Sequence, residues 1–285
     1  MIKLLGIDVD GTLLDSRGQV PPANVEALAF AAAAGVRIAI VTGRSFNFAL
    51  PAVESVPDPL TLIVYNGAIA RMRTGETLIR RLLPRDAARD VLAATVDWRE
   101  GALLQFDRTS RQLVYDRMDW THPNRARFHE KNAALLEEVP ALEDALHEDP
   151  IQIAYNGSVD SMRALVARLR NESCAAALSI SVTEYPHRDF SLVDVCATET
   201  TKGSTLARLA ELYGIDRSEV MAVGDNFNDT EMLEWAGIGV VMGNAVAELK
   251  QRFDVTATND EAGLAQAIRL HITATPHTAA APSRR

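Results

Sequence analysis

Short aliphatic runs separated by Ala-rich or amphipathic stretches dominate the first part of the chain. Residues 3–8, 36–41 and 61–65 are nearly continuous in apolar side chains, the pattern of strands buried on both faces. Residues 24–34 read as a helix stopped by Gly35, and Ser45 is placed to cap the next one. This β-α-β-α-β order predicts a parallel sheet with right-handed crossovers. Residues 68–73 and 76–82, split by Thr74-Gly75, predict a hairpin leaving that sheet.

From about Pro84 the pattern changes. Residues 85–98 read as a helix, 102–106 with 112–115 as a strand pair, and 124–138 as helix or loop. A strand at 151–155, a helix at 159–172 and strands at 178–184 and 190–195 follow. Strands paired by turns with helices between them predict an α+β module with an antiparallel sheet. Alternation then resumes: helix 203–213, strand 220–223, helix 230–235, strand 238–241, and closing helices near 246–251 and 261–271. The economical description is an α/β core split by an inserted module. Tyr65-Asn66-Gly67 recurs as Tyr155-Asn156-Gly157, but nothing around the copies matches, so no internal repeat is expected. Residues 273–285, rich in Ala, Thr and Pro, are expected to be disordered.

With 285 residues, two domains of ordinary size fit comfortably. A formal charge of −9 argues against nucleic-acid and anionic-membrane surfaces, so an anionic substrate would need local positive charge. Cys174 and Cys196, without metal-type spacing, read as reduced thiols, and the six histidines are scattered. Asp8 comes too early for a signal-peptide apolar region, and 27–36 is too short to span a bilayer, so a cytoplasmic protein is expected.

Two acidic groups follow apolar runs: Asp8-Val9-Asp10-Gly11-Thr12 and Gly224-Asp225-Asn226-Phe227-Asn228-Asp229. Open α/β sheets place ligands at the carboxyl ends of their strands, so the groups are expected to meet at one edge. Crowded carboxylates repel unless a cation joins them, which predicts a hard metal ion with oxygen ligands. Asp8 and Asp10, two apart on an extended strand, are expected to face one pocket. Thr42-Gly43-Arg44, after the second strand, offers a hydroxyl and backbone N–H groups to a phosphate oxygen. Lys202 stands at a helix start, where an anionic partner would offset its conflict with the helix dipole.

These four stations, in this order, resemble the haloacid dehalogenase-like (HAD) phosphohydrolase superfamily, and within it the Cof-type (class IIB) branch. Thr12-Leu13-Leu14, Asn66-Gly67-Ala68, Lys202-Gly203 and Met242-Gly243-Asn244-Ala245 carry the branch resemblance. It implies a Rossmann-like parallel-sheet core, residues 1–83 and 190–272, with an α+β C2B-type cap at 84–189. Asp8 would be the nucleophile and Asp10 the general acid and base. Mg²⁺ would be held by Asp8, the Asp10 carbonyl and Asp225, with Asp229 orienting the shell. Thr42, Lys202 and Asn228, with N–H groups of Val9 and Gly43, would hold the phosphoryl group. Arg44, Asn66, His187 and Arg188 are the expected substrate contacts. The implied activity is hydrolysis of a small phosphorylated metabolite, such as a sugar phosphate or phosphorylated cofactor, through an aspartyl-phosphate. A hexose phosphomutase is the main rival and a non-catalytic phospho-ligand-binding module the lesser one. Nothing in the sequence fixes the physiological ester or the oligomeric state.

Overall fold

A computed structural model describes residues 1–272. Its strands, in chain order, are β1 (Leu4–Ile7), β2 (Arg37–Val41), β3 (Leu60–Val64), β4 (Ile69–Met72), β5 (Thr77–Arg80), β6 (Ala102–Gln105) and β7 (Leu113–Tyr115). They continue as β8 (Leu136–Glu138), β9 (Gln152–Gly157), β10 (Leu178–Tyr185), β11 (Phe190–Ala197), β12 (Val220–Gly224), β13 (Ile238–Val241) and β14 (Asp254–Val255). One sheet has the order β14-β13-β12-β1-β2-β3-β4-β5, the other β10-β11-β9-β6-β7-β8. The expected α/β architecture with a parallel-sheet core is present.

Strand β1 is central, parallel to β2 on one side and β12 on the other. Every residue of β1, β3 and β12 is buried, which is why none of them shows polar alternation. Ile7 is in register with Ile40 and with Val223, so the chain leaves all three strands at one edge. That register carries the residues after Ile7, Val41 and Gly224 to a common rim.

By contacts the chain forms two compact units. The first comprises Met1–Leu62, Met72–Glu76 and, of the described residues, 206–272; the second comprises Ile63–Arg71 and Thr77–Thr205. In the first, Leu4, Leu5, Ile7, Ile40, Leu60, Leu62, Leu206 and Val223 are fully buried. The second holds the six-stranded sheet. Helices Arg85–Ala94 and Val159–Arg170 pack Val91, Leu92 and Leu165 on Leu104, Ile153, Tyr155 and Val193. Helix Val159–Arg170 is well specified: Ser158 Oγ accepts from Ser161 N, Asp160 lies in the first turn, and Arg168 and Arg170 in the last. Leu103 and Leu113, of opposite parity, build a smaller cluster with Met118, Trp120 and Phe128.

Several expectations change. The hairpin at 68–82 stays in the first sheet and adds two strands at its edge, β4 and β5. The second sheet is not wholly antiparallel, because β7 pairs parallel with β8, a strand in the stretch read as helix or loop. Helix 85–98 ends at Ala94: the Thr95 hydroxyl bonds back to the Val91 carbonyl, and Val96–Gly101 continues as a 3₁₀ turn. Ser45 occupies the N-cap position without a side-chain cap bond, and helix Phe46–Ala49 passes into a 3₁₀ turn containing Pro51. Tyr65-Asn66-Gly67 is a 3₁₀ turn, whereas its twin lies within β9, so the two share no structure. The disorder expected for 273–285 falls outside the described residues. Among the described residues, no helix is long and apolar enough to cross a membrane.

Candidate active site

Asp8 follows β1 and Asp225 follows β12, while Asp229 closes the 3₁₀ turn Phe227–Asp229. One carboxylate oxygen from each of the three lies within 4.8 Å of the others. Asp8 is 5% exposed and Asp229 is fully buried, so water screens this cluster poorly. At an effective dielectric near 20, such spacing costs roughly 3 kcal/mol of repulsion per pair. A hard cation removes that cost, and an all-oxygen donor set suits Mg²⁺. The residues present therefore fit the ion that the family pattern implies.

Local structure explains the convergence. Asp229 Oδ2 accepts from the backbone N–H groups of Asp225 at 3.0 Å and Asn226 at 3.1 Å, so one carboxylate fixes the loop that bears another. Gly224 permits this approach: a Cβ there would stand 2.6 Å from the Cβ of Asp229. Gly11, at φ +88°, turns the first loop past Asp225, and a Cβ there would run into the Asp225 carboxylate. Thr12 Oγ1 donates to Asp225 Oδ1 at 3.4 Å, and Asn244 Nδ2 donates to the Gly11 carbonyl at 2.8 Å. The Gly-Asp-Asn-Phe-Asn-Asp run is thus both a capped turn and a carboxylate platform.

Asp10 is far more exposed than Asp8. Strand β1 stops at Ile7, so the two-residue period no longer governs Asp8 and Asp10. The Asp10 side chain is 62% exposed and is engaged by Arg44: Nε donates to Oδ2 at 2.9 Å and Nη2 to Oδ1 at 2.6 Å. Thr42 is buried, and its hydroxyl accepts from the Arg44 backbone N–H at 3.2 Å, which shapes the turn after β2. Val9 is buried in the Asp8 loop, Gly43 is half-buried, and Asn228 is half-buried in the turn that Asp229 closes. Sequence reasoning named Arg44 but not its pairing with Asp10; only the register of β1 with β2 reveals it.

The remaining candidates belong to the second unit. Lys202 is the first residue of helix Lys202–Leu212 and is buried. His187 and Arg188 are exposed on the 3₁₀ turn joining β10 to β11. Asn66 is 3% exposed in a backbone with positive φ at Tyr65 and Asn66, and its Nδ2 donates to Asp194 Oδ2 at 2.9 Å.

Asp194 escaped the sequence reading, although an acid within the apolar run Leu192-Val193-Asp194-Val195 was a visible anomaly. Its other oxygen accepts from Gln152 Nε2 at 2.8 Å. Desolvation pushes the carboxyl up to about 7, with the two amide donors pulling the other way. Asn66 Oδ1 is buried without a hydrogen bond, and a protonated Asp194 facing a flipped amide would satisfy it. The sign follows from the raised value. The native state is favoured most below pH 3.8 and loses this contribution as pH rises toward about 7. Asp194→Asn should therefore gain stability over wild type between pH 4 and pH 8, by about 2–4 kcal/mol. Urea unfolding of both proteins at the two pH values measures it; an equal difference at both would contradict the assignment.

Known proteins share this architecture. The family profile for haloacid dehalogenase-like hydrolases matches residues 5–268. Phosphatase YwpJ of Bacillus subtilis strain 168 is 29% identical over 294 residues, covering 94% of this chain and 99% of its own. A second protein of that organism, 5-amino-6-(5-phospho-D-ribitylamino)uracil phosphatase YcsE, is 28% identical over 269 residues, covering 94% and 95%. Among solved structures, the HAD phosphatase BT1666 of Bacteroides thetaiotaomicron superposes with a TM-score of 0.77 at 27% identity, covering 95% of each chain. With the three carboxylates gathered at the edge of a parallel sheet, and a profile match spanning both units, the chain belongs to the haloacid dehalogenase-like hydrolase family.

Proposed function

We propose that this chain is a Mg²⁺-dependent phosphatase that hydrolyses a small phosphomonoester through an aspartyl-phosphate on Asp8. The observation that carries the reading is the approach of Asp8, Asp225 and Asp229 to within 4.8 Å of one another. A divalent ion held by Asp8, the Asp10 carbonyl and Asp225, with Asp229 orienting the shell, would supply charge neutralisation for the phosphoryl group. Asp8 attacks phosphorus in line, the bond to the ester oxygen breaks, and Asp10 delivers a proton to the departing alcohol. Asp10 then takes a proton from the water that cleaves the acyl phosphate. Thr42, Asn228 and the N–H groups of Val9 and Gly43 hold the transferring oxygens, where positioning and electrostatics contribute most.

The substrate class is a small phosphorylated metabolite. The names of the relatives point the same way, since one acts on a phosphorylated ribitylaminouracil. The division into a core of residues 1–83 and 190–272 and a cap of 84–189, with specificity in the cap, belongs to the same proposal.

The test is phosphate release from a panel of sugar phosphates, nucleotides and phosphorylated cofactors, with Mg²⁺ and with EDTA. Turnover should fall by about 100-fold or more in EDTA and return with added Mg²⁺. Metal-independent turnover, or net isomerisation of a hexose phosphate without phosphate release, would contradict the reading.

A further inference from the structure

The pairing of Arg44 with Asp10 has a magnitude and a geometry that together assign it a task. Ile7 and Ile40 are opposite each other in β1 and β2, so Asp10, three residues beyond, and Arg44, four beyond, emerge at one rim. Both guanidinium contacts are direct, 2.9 Å and 2.6 Å, and they occupy both carboxylate oxygens at once. Such a fork fixes the plane of the carboxylate as well as its place, which a point charge such as lysine does not. The Arg44 backbone is itself held by the Thr42 hydroxyl. Yet the pair is solvent-reachable, with the side chains of Asp10 and Arg44 62% and 28% exposed, and solvent weakens such pairs. It orients Asp10 but does not lock it.

We propose that Arg44 is the positioning residue of the general acid. It holds the Asp10 carboxyl in a fixed plane and yields one oxygen to the departing alcohol when substrate binds. This inference rests on the phosphatase reading above. In the step it serves, Asp10 in its protonated form, freed from one arm of the fork, passes its proton to the ester oxygen as the P–O bond breaks and the Asp8–P bond forms. The carboxylate left on Asp10 returns to the guanidinium, and it regains a proton when it deprotonates the water that cleaves the acyl phosphate. Arg44 on this account touches neither phosphorus nor the phosphoryl oxygens, and that separates it from Thr42.

Leaving-group dependence gives the test. p-Nitrophenyl phosphate expels a stable phenolate and needs little protonation; glycerol 2-phosphate expels an alkoxide and needs it fully. Arg44→Ala should lower kcat about 30–100-fold for glycerol 2-phosphate and no more than about 3-fold for p-nitrophenyl phosphate, with KM changed less than about 3-fold for either. Arg44→Lys should recover only part of the glycerol 2-phosphate rate, because it lacks the fork. Equal losses on both esters, or a rise in KM without a fall in kcat, would make Arg44 a phosphate ligand and overturn the inference. Undiminished rates in both variants would also overturn it. If wild-type protein releases phosphate from no ester of the wider panel, or Asp8→Asn hydrolyses both esters, the phosphatase reading itself fails and the inference falls with it.

Discussion

Asp8→Asn should abolish phosphate release, with kcat reduced by about 10⁴-fold or more while the fold is retained. The amide is nearly isosteric with the carboxylate, so the loop after β1 has no steric reason to move. It carries no charge and no available lone pair of comparable nucleophilicity, so no covalent intermediate forms. A second consequence separates chemistry from damage. Asp8 is 5% exposed and within 4.8 Å of two other carboxylates. If only the nucleophile is lost, the thermal midpoint in EDTA should stay close to that of wild type. Inactivity with a lowered midpoint would mean that the substitution disrupted the site rather than removed a nucleophile. Rapid acid quench after incubation with ³²P-labelled ester should leave label on wild type and none on the variant.

Asp229→Asn should raise the Mg²⁺ concentration needed for half-maximal activity by about 10–100-fold, with much of kcat regained at high Mg²⁺. An asparagine at this position keeps an oxygen for the backbone N–H groups of Asp225 and Asn226, now 3.0 and 3.1 Å from Asp229 Oδ2. The loop geometry is therefore preserved while one negative charge is deleted from the cluster. Asp229→Ala should do worse, because it also orphans those two donors at a fully buried position. Calorimetric titration with Mg²⁺ alone reads the affinity without reference to turnover. Unchanged affinity in Asp229→Asn would remove this residue from the metal shell.

Legibility differed by type of feature. The buried strands β1, β3 and β12, and β2 beyond its exposed Arg37, were readable because a strand covered on both faces must be largely apolar. The edge strands were less so. Strand β8 carries Glu137 and Glu138, so its sequence resembles the end of a polar helix, and only pairing with β7 makes it a strand. The hairpin of β4 and β5 was found, but its place in the sheet was not, since pairing beyond a turn leaves no local mark. At the site, Asp8, Asp225 and Asp229 were each visible through motif and strand end. The contrast between buried Asp8 and exposed Asp10 was not, because it depends on where β1 stops.

From the order of residues alone came the parallel alternation and the carboxylates that end up together, since each is encoded by local composition and spacing. Folding decided which partner each polar group received: Arg44 for Asp10, Asn66 and Gln152 for Asp194, Asn244 for the Gly11 carbonyl. The reason is physical. Burial and periodicity are properties of neighbouring residues along the chain, whereas a hydrogen bond between positions tens to hundreds apart exists only once strand register has brought them face to face.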